Sequence, residues 1–128
     1  MVDFIDEKVI LAYGLTNEEL EKLNNVLSQQ NILPCKIIHK NMGTVTIKEI
    51  LSNIEGSKGD PELPDEKLLL FNNYKDKELY DLIASIRESK PTNTILAAVT
   101  PTSINWTISY LLQHLIEERE AYRNSAKS

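Results

Sequence analysis

The chain has 128 residues, 41% of them hydrophobic and 26% charged, with a formal net charge of −5 and a pI near 5.0. This is the length and composition of one ordinary globular domain. The acidic balance disfavours nucleic-acid binding, which draws on Lys and Arg displacing phosphate counterions, and one cysteine, Cys35, excludes an internal disulfide and argues against a Cys-based metal site.

The opening "MVDFIDEKVI" is acidic and lacks the basic-then-apolar plan of a secretory signal. No apolar run approaches the roughly 20 residues a membrane helix needs. The expectation is one cytoplasmic domain, residues 1–128, with no membrane segment, metal or cofactor.

Residues 8–14, "KVILAYG", form a continuous apolar run that suits a strand buried on both faces. Thr16 and Glu19 have the spacing of a capping box, with Leu15 and Leu20 as a hydrophobic staple around it. Leu20, Leu23 and Leu27 then recur at helical spacing, so a helix is expected to about Asn31. After Pro34, "CKIIHK" (35–40) reads as a short strand. Thr46 and Glu49 repeat the capping box, with Val45 and Ile50 as staple, and a shorter helix is expected to about Asn53. The stretch 52–65, rich in Gly, Pro and acids, is a linker-like loop.

The second half repeats the first. "EKLLLFNN" (66–73) is a strand and "DKELYDLIASIRES" (76–89) a helix with Asp76 as N-cap and an apolar side of Leu79, Leu82, Ile83 and Ile86. "TILAAVT" (94–100) is a strand, and the last helix occupies 105–122. At an offset of 59, Glu7, Lys8, Leu11, Glu19, Leu20 and Leu23 match Glu66, Lys67, Leu70, Glu78, Leu79 and Leu82. Two residues further out of step, Thr46, Ile47 and Leu51 match Thr107, Ile108 and Leu112. The pattern predicts two βαβα repeats, about 7–53 and 66–122.

Alternating strands and helices argue for an α/β fold, a three-layer sandwich around a four-stranded parallel sheet. A pseudo-two-fold parallel to the strands gives the order 2-1-3-4. The first and fourth helices then share one face and the second and third the other. Connections from strands 1 and 3 diverge in such a sheet and open a crevice beyond their carboxyl ends. The residues expected there are Tyr13, Gly14 and Leu15 from one half and Asn72, Asn73 and Tyr74 from the other. Gly14 serves either a turn or the close approach of a ligand. Asn72 and Asn73 serve either turn geometry or amide contacts.

The turn "VTPTSINWT" (99–107) crowds Thr100, Thr102, Ser103 and Asn105 around Pro101 at a strand-to-helix junction. A helix N-terminus can hold an anion, but Ser103 or Asn105 acting as a plain cap accounts for the same residues, and the glycines of a phosphate loop are missing. Cys35 and His39 stand about 13 Å apart along a strand, too far for a nucleophile–base pair. His114 lies beside Glu117 and Glu118 on the last helix. Strand 94–100 is a sheet edge in the predicted order, yet it carries no charge, whereas edge strand 35–40 carries Lys36, His39 and Lys40. Either the last helix shields this edge or a homodimer forms through strand 94–100 or its adjoining helices.

The segments "KVILAYGLTNEELEKL", "EKLLLFNNYKDKELYDLI" and "AAVTPTSINWTISYLLQHLIEE" resemble a family of small bacterial proteins of about this length, catalogued as a domain of unknown function. The resemblance spans nearly the whole chain, and its most specific part is the Thr-Pro-Thr turn leading to Asn105 and Trp106. It implies the fold and a bacterial source but no activity, so no catalytic residue comes with it. The favoured reading is a non-enzymatic protein-interaction or regulatory module. The alternative is a small-molecule or anion binder using Tyr13, Asn72, Asn73, Thr102 and Asn105. No positioned acid, base or nucleophile supports an enzyme.

Overall fold

A computed structural model describes residues 6–53 and 62–126. In chain order the elements are β1 (Val9–Tyr13), α1 (Asn17–Gln29), β2 (Lys36–Ile38), α2 (Ile47–Leu51), β3 (Leu68–Asn72), α3 (Asp76–Ser85), β4 (Ile95–Ala98) and α4 (Ile108–Ala126), with a 3-10 turn at Ser103–Asn105 before α4. The four strands form one sheet in the order β2-β1-β3-β4. Most of the expected loop 52–65 lies outside the described residues, but its end does not behave as a solvated linker. Leu63 is buried in the core and its N–H donates to the Lys40 carbonyl at 2.9 Å.

Both expected capping boxes are present. Thr16 Oγ1 accepts from the Glu19 N–H at 3.2 Å while Glu19 accepts from the Thr16 N–H at 2.8 Å. Thr46 and Glu49 do the same at 3.1 and 2.9 Å. Each satisfies two backbone donors that a helix start otherwise leaves open. The caps of the second half differ from expectation. Lys75, not Asp76, precedes α3, and its side chain makes no cap; its backbone N–H donates to Glu78 Oε1 at 3.2 Å. The first helical turn of α4 is capped by Thr107, whose Oγ1 accepts from the Tyr110 N–H at 3.1 Å, and not by Ser103 or Asn105.

The sheet is mixed, not parallel. β1 and β2 run parallel, as do β3 and β4, but β1 and β3 are antiparallel, with Val9 opposite Asn72, Leu11 opposite Leu70 and Tyr13 opposite Leu68. All five residues of each central strand are buried. A strand covered on both faces reads the same in either direction, so periodicity carries no information about which way it runs. The direction also corrects the symmetry. An axis exchanging β1 and β3 at an offset of 59 must stand perpendicular to the sheet, through the Leu11–Leu70 pair. A second contact agrees: Thr46 and Thr107 bridge antiparallel, with Ile47 N–H donating to the Trp106 carbonyl at 3.1 Å and Ile108 N–H to the Val45 carbonyl at 2.9 Å.

Such an axis keeps each face of the sheet on its own side, so the helix pairing changes as well. Val9, Leu11, Tyr13, Leu68 and Leu70 face α2 and α4, packing on Ile47, Leu51, Ile108 and Leu112. Ile10, Ala12, Leu69 and Phe71 face α1 and α3, packing on Leu23, Leu27, Leu82 and Ile86. Two helices per face is as expected; α1 with α3 and α2 with α4 is not.

Where β1 ends, Gly14 takes φ +83°, and a Cβ there would fall 1.9 Å from the Glu66 carbonyl oxygen on the segment entering β3. Asn73 holds the matching place after β3 with φ 65°, a conformation Asn tolerates where most residues do not. Gly14→Ala combines left-handed strain with a backbone clash, so it is expected to lower stability by about 3 kcal/mol or more. Urea denaturation of the variant checks this; an unchanged midpoint would contradict the close approach.

Candidate functional site

Antiparallel central strands dismantle the expected crevice. Tyr13 and Gly14 close one end of the sheet, while Asn72, Asn73 and Tyr74 close the other, about 13 Å of strand away. Because β4 runs with β3, Thr102 and Asn105 follow the Asn72 end. The seven residues proposed as one site therefore divide between two ends.

At each end these side chains are engaged by the neighbouring half. Tyr13 Oη donates to the Pro64 carbonyl at 2.8 Å. Its counterpart Asn72 donates from Nδ2 to the Glu7 carbonyl at 2.9 Å, and Asn73 to the Asp6 carbonyl at 2.7 Å. Each strand end thus clasps the backbone that enters the other central strand. The Tyr74 hydroxyl is buried without a hydrogen-bond partner among the described residues, and desolvation pushes its pKa up. The Thr-Pro-Thr turn closes on itself: the Thr100 N–H donates to Ser103 Oγ and the Ser103 N–H to Thr100 Oγ1, both at 2.9 Å. Thr102 and Asn105 are exposed beside it, and Thr102 makes no side-chain cap.

The repeated Glu-Lys pairs acquire a role. Lys67 Nζ meets Glu19 Oε2 at 2.6 Å, and Lys8 pairs with Glu78. An offset of 59 exchanges these two bridges, so each lysine before a central strand reaches the glutamate in the first helical turn of the other half. Hydrogen bonds from Lys67 and from the Thr16 backbone hold the Glu19 carboxyl below its usual range, and Lys8 with the Lys75 backbone does the same for Glu78. Glu66 instead receives a two-pronged bond from Arg119 of α4, with both N···O distances 2.8 Å, and its pKa is lowered chiefly by that bond.

Cys35 and His114 are engaged by their surroundings. Cys35 is buried, and desolvation pushes its thiol up to about 12, far from a nucleophile at neutral pH. His114 pairs with Glu118 at 2.9 Å and stacks with Tyr110 alongside Trp106. Among the described residues no group of three or more His, Cys, Asp or Glu could hold a metal ion.

Besides a cleft of about 630 Å³ at the other end, lined by Lys8, Asn73, Tyr74 and Glu78, two features are open to a ligand or partner. The first is a cleft of about 680 Å³ beyond the carboxyl ends of β1 and β2, lined by Tyr13, Leu15, Leu20, Ile37, Lys40 and Lys67. These parallel neighbours send α1 and α2 to opposite faces, the arrangement that opens a crevice in α/β sheets. The second is the free side of β4. In a parallel ladder alternate residues bond the neighbour, and here Ile95 and Val99 donate to the Lys67 and Phe71 carbonyls at 2.8 and 2.9 Å. The N–H and C=O groups of Leu96 and Ala98 therefore point away from β3, toward the side where no described strand lies.

The opposite edge is defended differently. Cys35, entering β2, has its N–H taken by Asn24 Oδ1 of α1 at 2.9 Å. At the matching place on α3 stands Ile83, which has no acceptor to offer the edge of β4. Pro34, Lys36 and Lys40 further discourage pairing along β2. Sequence reasoning noted the charges but not Asn24, because a mid-helix Asn carries no signal of its target.

Residues 67–122 match the family model of a domain of unknown function, DUF3783. The matched segment is the second βαβα half, from the residue before β3 into α4. The expected resemblance is thus found, over a shorter part of the chain than the quoted segments covered. No curated protein and no solved structure matches the chain. Among the described residues no helix is long and apolar enough to cross a membrane.

The charge clasps make stability pH-dependent. A carboxyl whose folded-state pKa is depressed contributes stability that is present above its ordinary value and lost as the pH falls through the depressed one. Stability should therefore decline below about pH 4.5, the ordinary glutamate value, and Glu66→Gln should flatten that decline in urea midpoints measured against pH. A double-mutant cycle on Glu19 and Lys67 is expected to give a coupling of about 0.5–1 kcal/mol that shrinks in high salt. Zero coupling at low salt would remove the bridge from the account.

Proposed function

We propose that the chain is a non-enzymatic, cytoplasmic interaction module of bacterial origin whose β4 edge takes up an extended strand from a protein partner. One observation carries this reading: among the described residues no strand neighbours the outward backbone groups of Leu96 and Ala98 on β4, while the other edge is capped and charged. Strand addition uses such groups for affinity, and alternate side chains for selectivity. The buried thiol of Cys35 and the engagement of Tyr13, Asn72 and Asn73 with backbone leave no exposed nucleophile among them to favour catalysis. The matching offsets support descent of the two halves from one duplicated βαβα unit.

A second reading rests on the cleft at β1 and β2, whose apolar walls and mixed rim of Lys40, Asp65, Glu66 and Lys67 suit a small organic molecule better than the dispersed residues first proposed. A metabolite at 100 times its Kd would add about 2.7 kcal/mol of stability, readable as a rise in Tm.

Photo-crosslinking in the native host tests the main reading. With Ala98→p-benzoylphenylalanine, discrete protein adducts are expected. The same residue placed at the exposed Tyr80 on α3 should not give them. Absence of adducts at position 98, or the same adducts at both positions, would overturn it.

A further inference from the structure

We infer that the strand taken up by β4 is β4 of a second copy of this chain, paired antiparallel about a two-fold axis through Ala97. The inference rests on the reading of β4 as a docking edge and names its occupant. Two four-stranded sheets would then become one continuous sheet of eight strands.

Backbone geometry selects the register. In an antiparallel ladder a hydrogen-bonded pair exchanges two N–H···O bonds, so both members must present their backbone groups to each other. On β4 those residues are Leu96 and Ala98. An axis at Ala97 sets Leu96 opposite Ala98 of the second copy, and Ala98 opposite its Leu96, which gives two complete hydrogen-bonded pairs. Centring on Ala98 would instead oppose Leu96 to Thr100, whose N–H is already held by Ser103 Oγ at 2.9 Å. Centring on Leu96 would stack two leucines against each other and waste the small residue beside them.

Side chains agree with the same register. Residues directly opposite in a ladder share a face, so each Leu96 would lie over an alanine on the α1/α3 face. On the other face Ala97 would meet Ala97 as a non-hydrogen-bonded pair, the closest approach in a ladder at about 4.5 Å between Cα atoms. Alanine is small enough to permit it. Ile95 and Val99, already packed against the core of that face, would flank this contact as opposing β-branched residues.

Charge argues for a second copy over an unrelated strand. Residues 91–116, which include all of β4 and its flanks, contain no Asp, Glu, Lys or Arg, in a chain of net charge −5. Two acidic molecules repel over most approaches, and this neutral zone is where the penalty is least. A partner selected by opposite charge would find nothing here to read. An uncharged strand of equal length, with small and large residues alternating in the complementary order, is what another β4 supplies. The contact is isologous and closes at two subunits, because β4 is consumed and the β2 edge is blocked by Pro34, Asn24 and its lysines.

Sedimentation velocity of the full chain at tens of micromolar tests the inference. The expected result is a dimer, converted to monomer by Ala98→Pro and by Ala98→Lys. Proline is tolerated where the lost N–H faces outward, so the circular dichroism of Ala98→Pro should stay close to that of the parent chain, and its urea midpoint to that of the parent diluted to monomer. A parent chain that sediments as a monomer, or a dimer that survives both substitutions, would overturn self-pairing. A monomer that still gives specific adducts at position 98 in the host would overturn self-pairing alone and leave β4 as the dock for a different strand.

Discussion

The antiparallel ladder between β1 and β3 is the contact on which the rest of the molecule depends. Ten residues, five from each strand, are buried along it, and it joins the two halves at the centre of the sheet. Because the strands run oppositely, the start of each lies beside the end of the other. That adjacency lets Tyr13 reach Pro64, Asn72 reach Glu7 and both lysines find glutamates in the opposite half. Reversing one strand would separate every one of these partners by the length of the ladder. The ladder supplies the hydrophobic burial, at about 1.5–3 kcal/mol for each large side chain withdrawn from water. The polar clasps at its ends restrict register, since a slip of one residue would turn every inward side chain to the wrong face.

Much of this arrangement was readable in the residues. Apolar runs, capping boxes and the offset of 59 located each strand and helix to within a few positions, and the order 2-1-3-4 followed. Direction did not. The runs "VILAY" and "LLLF" are apolar on both faces, so neither has a polar side to betray its orientation, and a repeat relates two halves equally well under either axis. A signal did exist. The lysines of the Glu-Lys pairs recur at the same offset as glutamates in the first helical turn, and such pairs can meet only when the central strands are opposed. Caps at the second half were misplaced because several candidate residues crowd each junction, and only the chain's path decides which one lies before the helix.

Function was less legible for a related reason. The residues gathered into one crevice were chosen for their place at strand ends, and the same residue types serve backbone clasps and ligands alike. In the structure the clasps use three of them. Tyr13, Asn72 and Asn73 spend their polar atoms on carbonyl groups of the facing half, and the Thr100–Ser103 turn is closed internally. What distinguishes one end of the molecule from the other is instead the condition of its outer strands. Asn24 and Ile83 occupy equivalent places on two similar helices, and that difference, together with Pro34 and the lysines of β2, closes one border of the sheet while no described strand covers the other. An inequality between otherwise matching halves is a better pointer to use than any feature they share.

The match to a family model begins just before β3 and leaves out the first half, and this has a consequence for the architecture itself. Residues 67–122 alone would carry β3 with no neighbour on its inner side, a five-residue strand apolar on both faces. Lys67 would lack Glu19, Glu78 would lack Lys8, and the helices would have half a layer to rest on. Such a fragment would expose that flank to water, and in this chain the first half covers it. Carrying both segments on one chain makes their meeting intramolecular, so the contact does not depend on concentration.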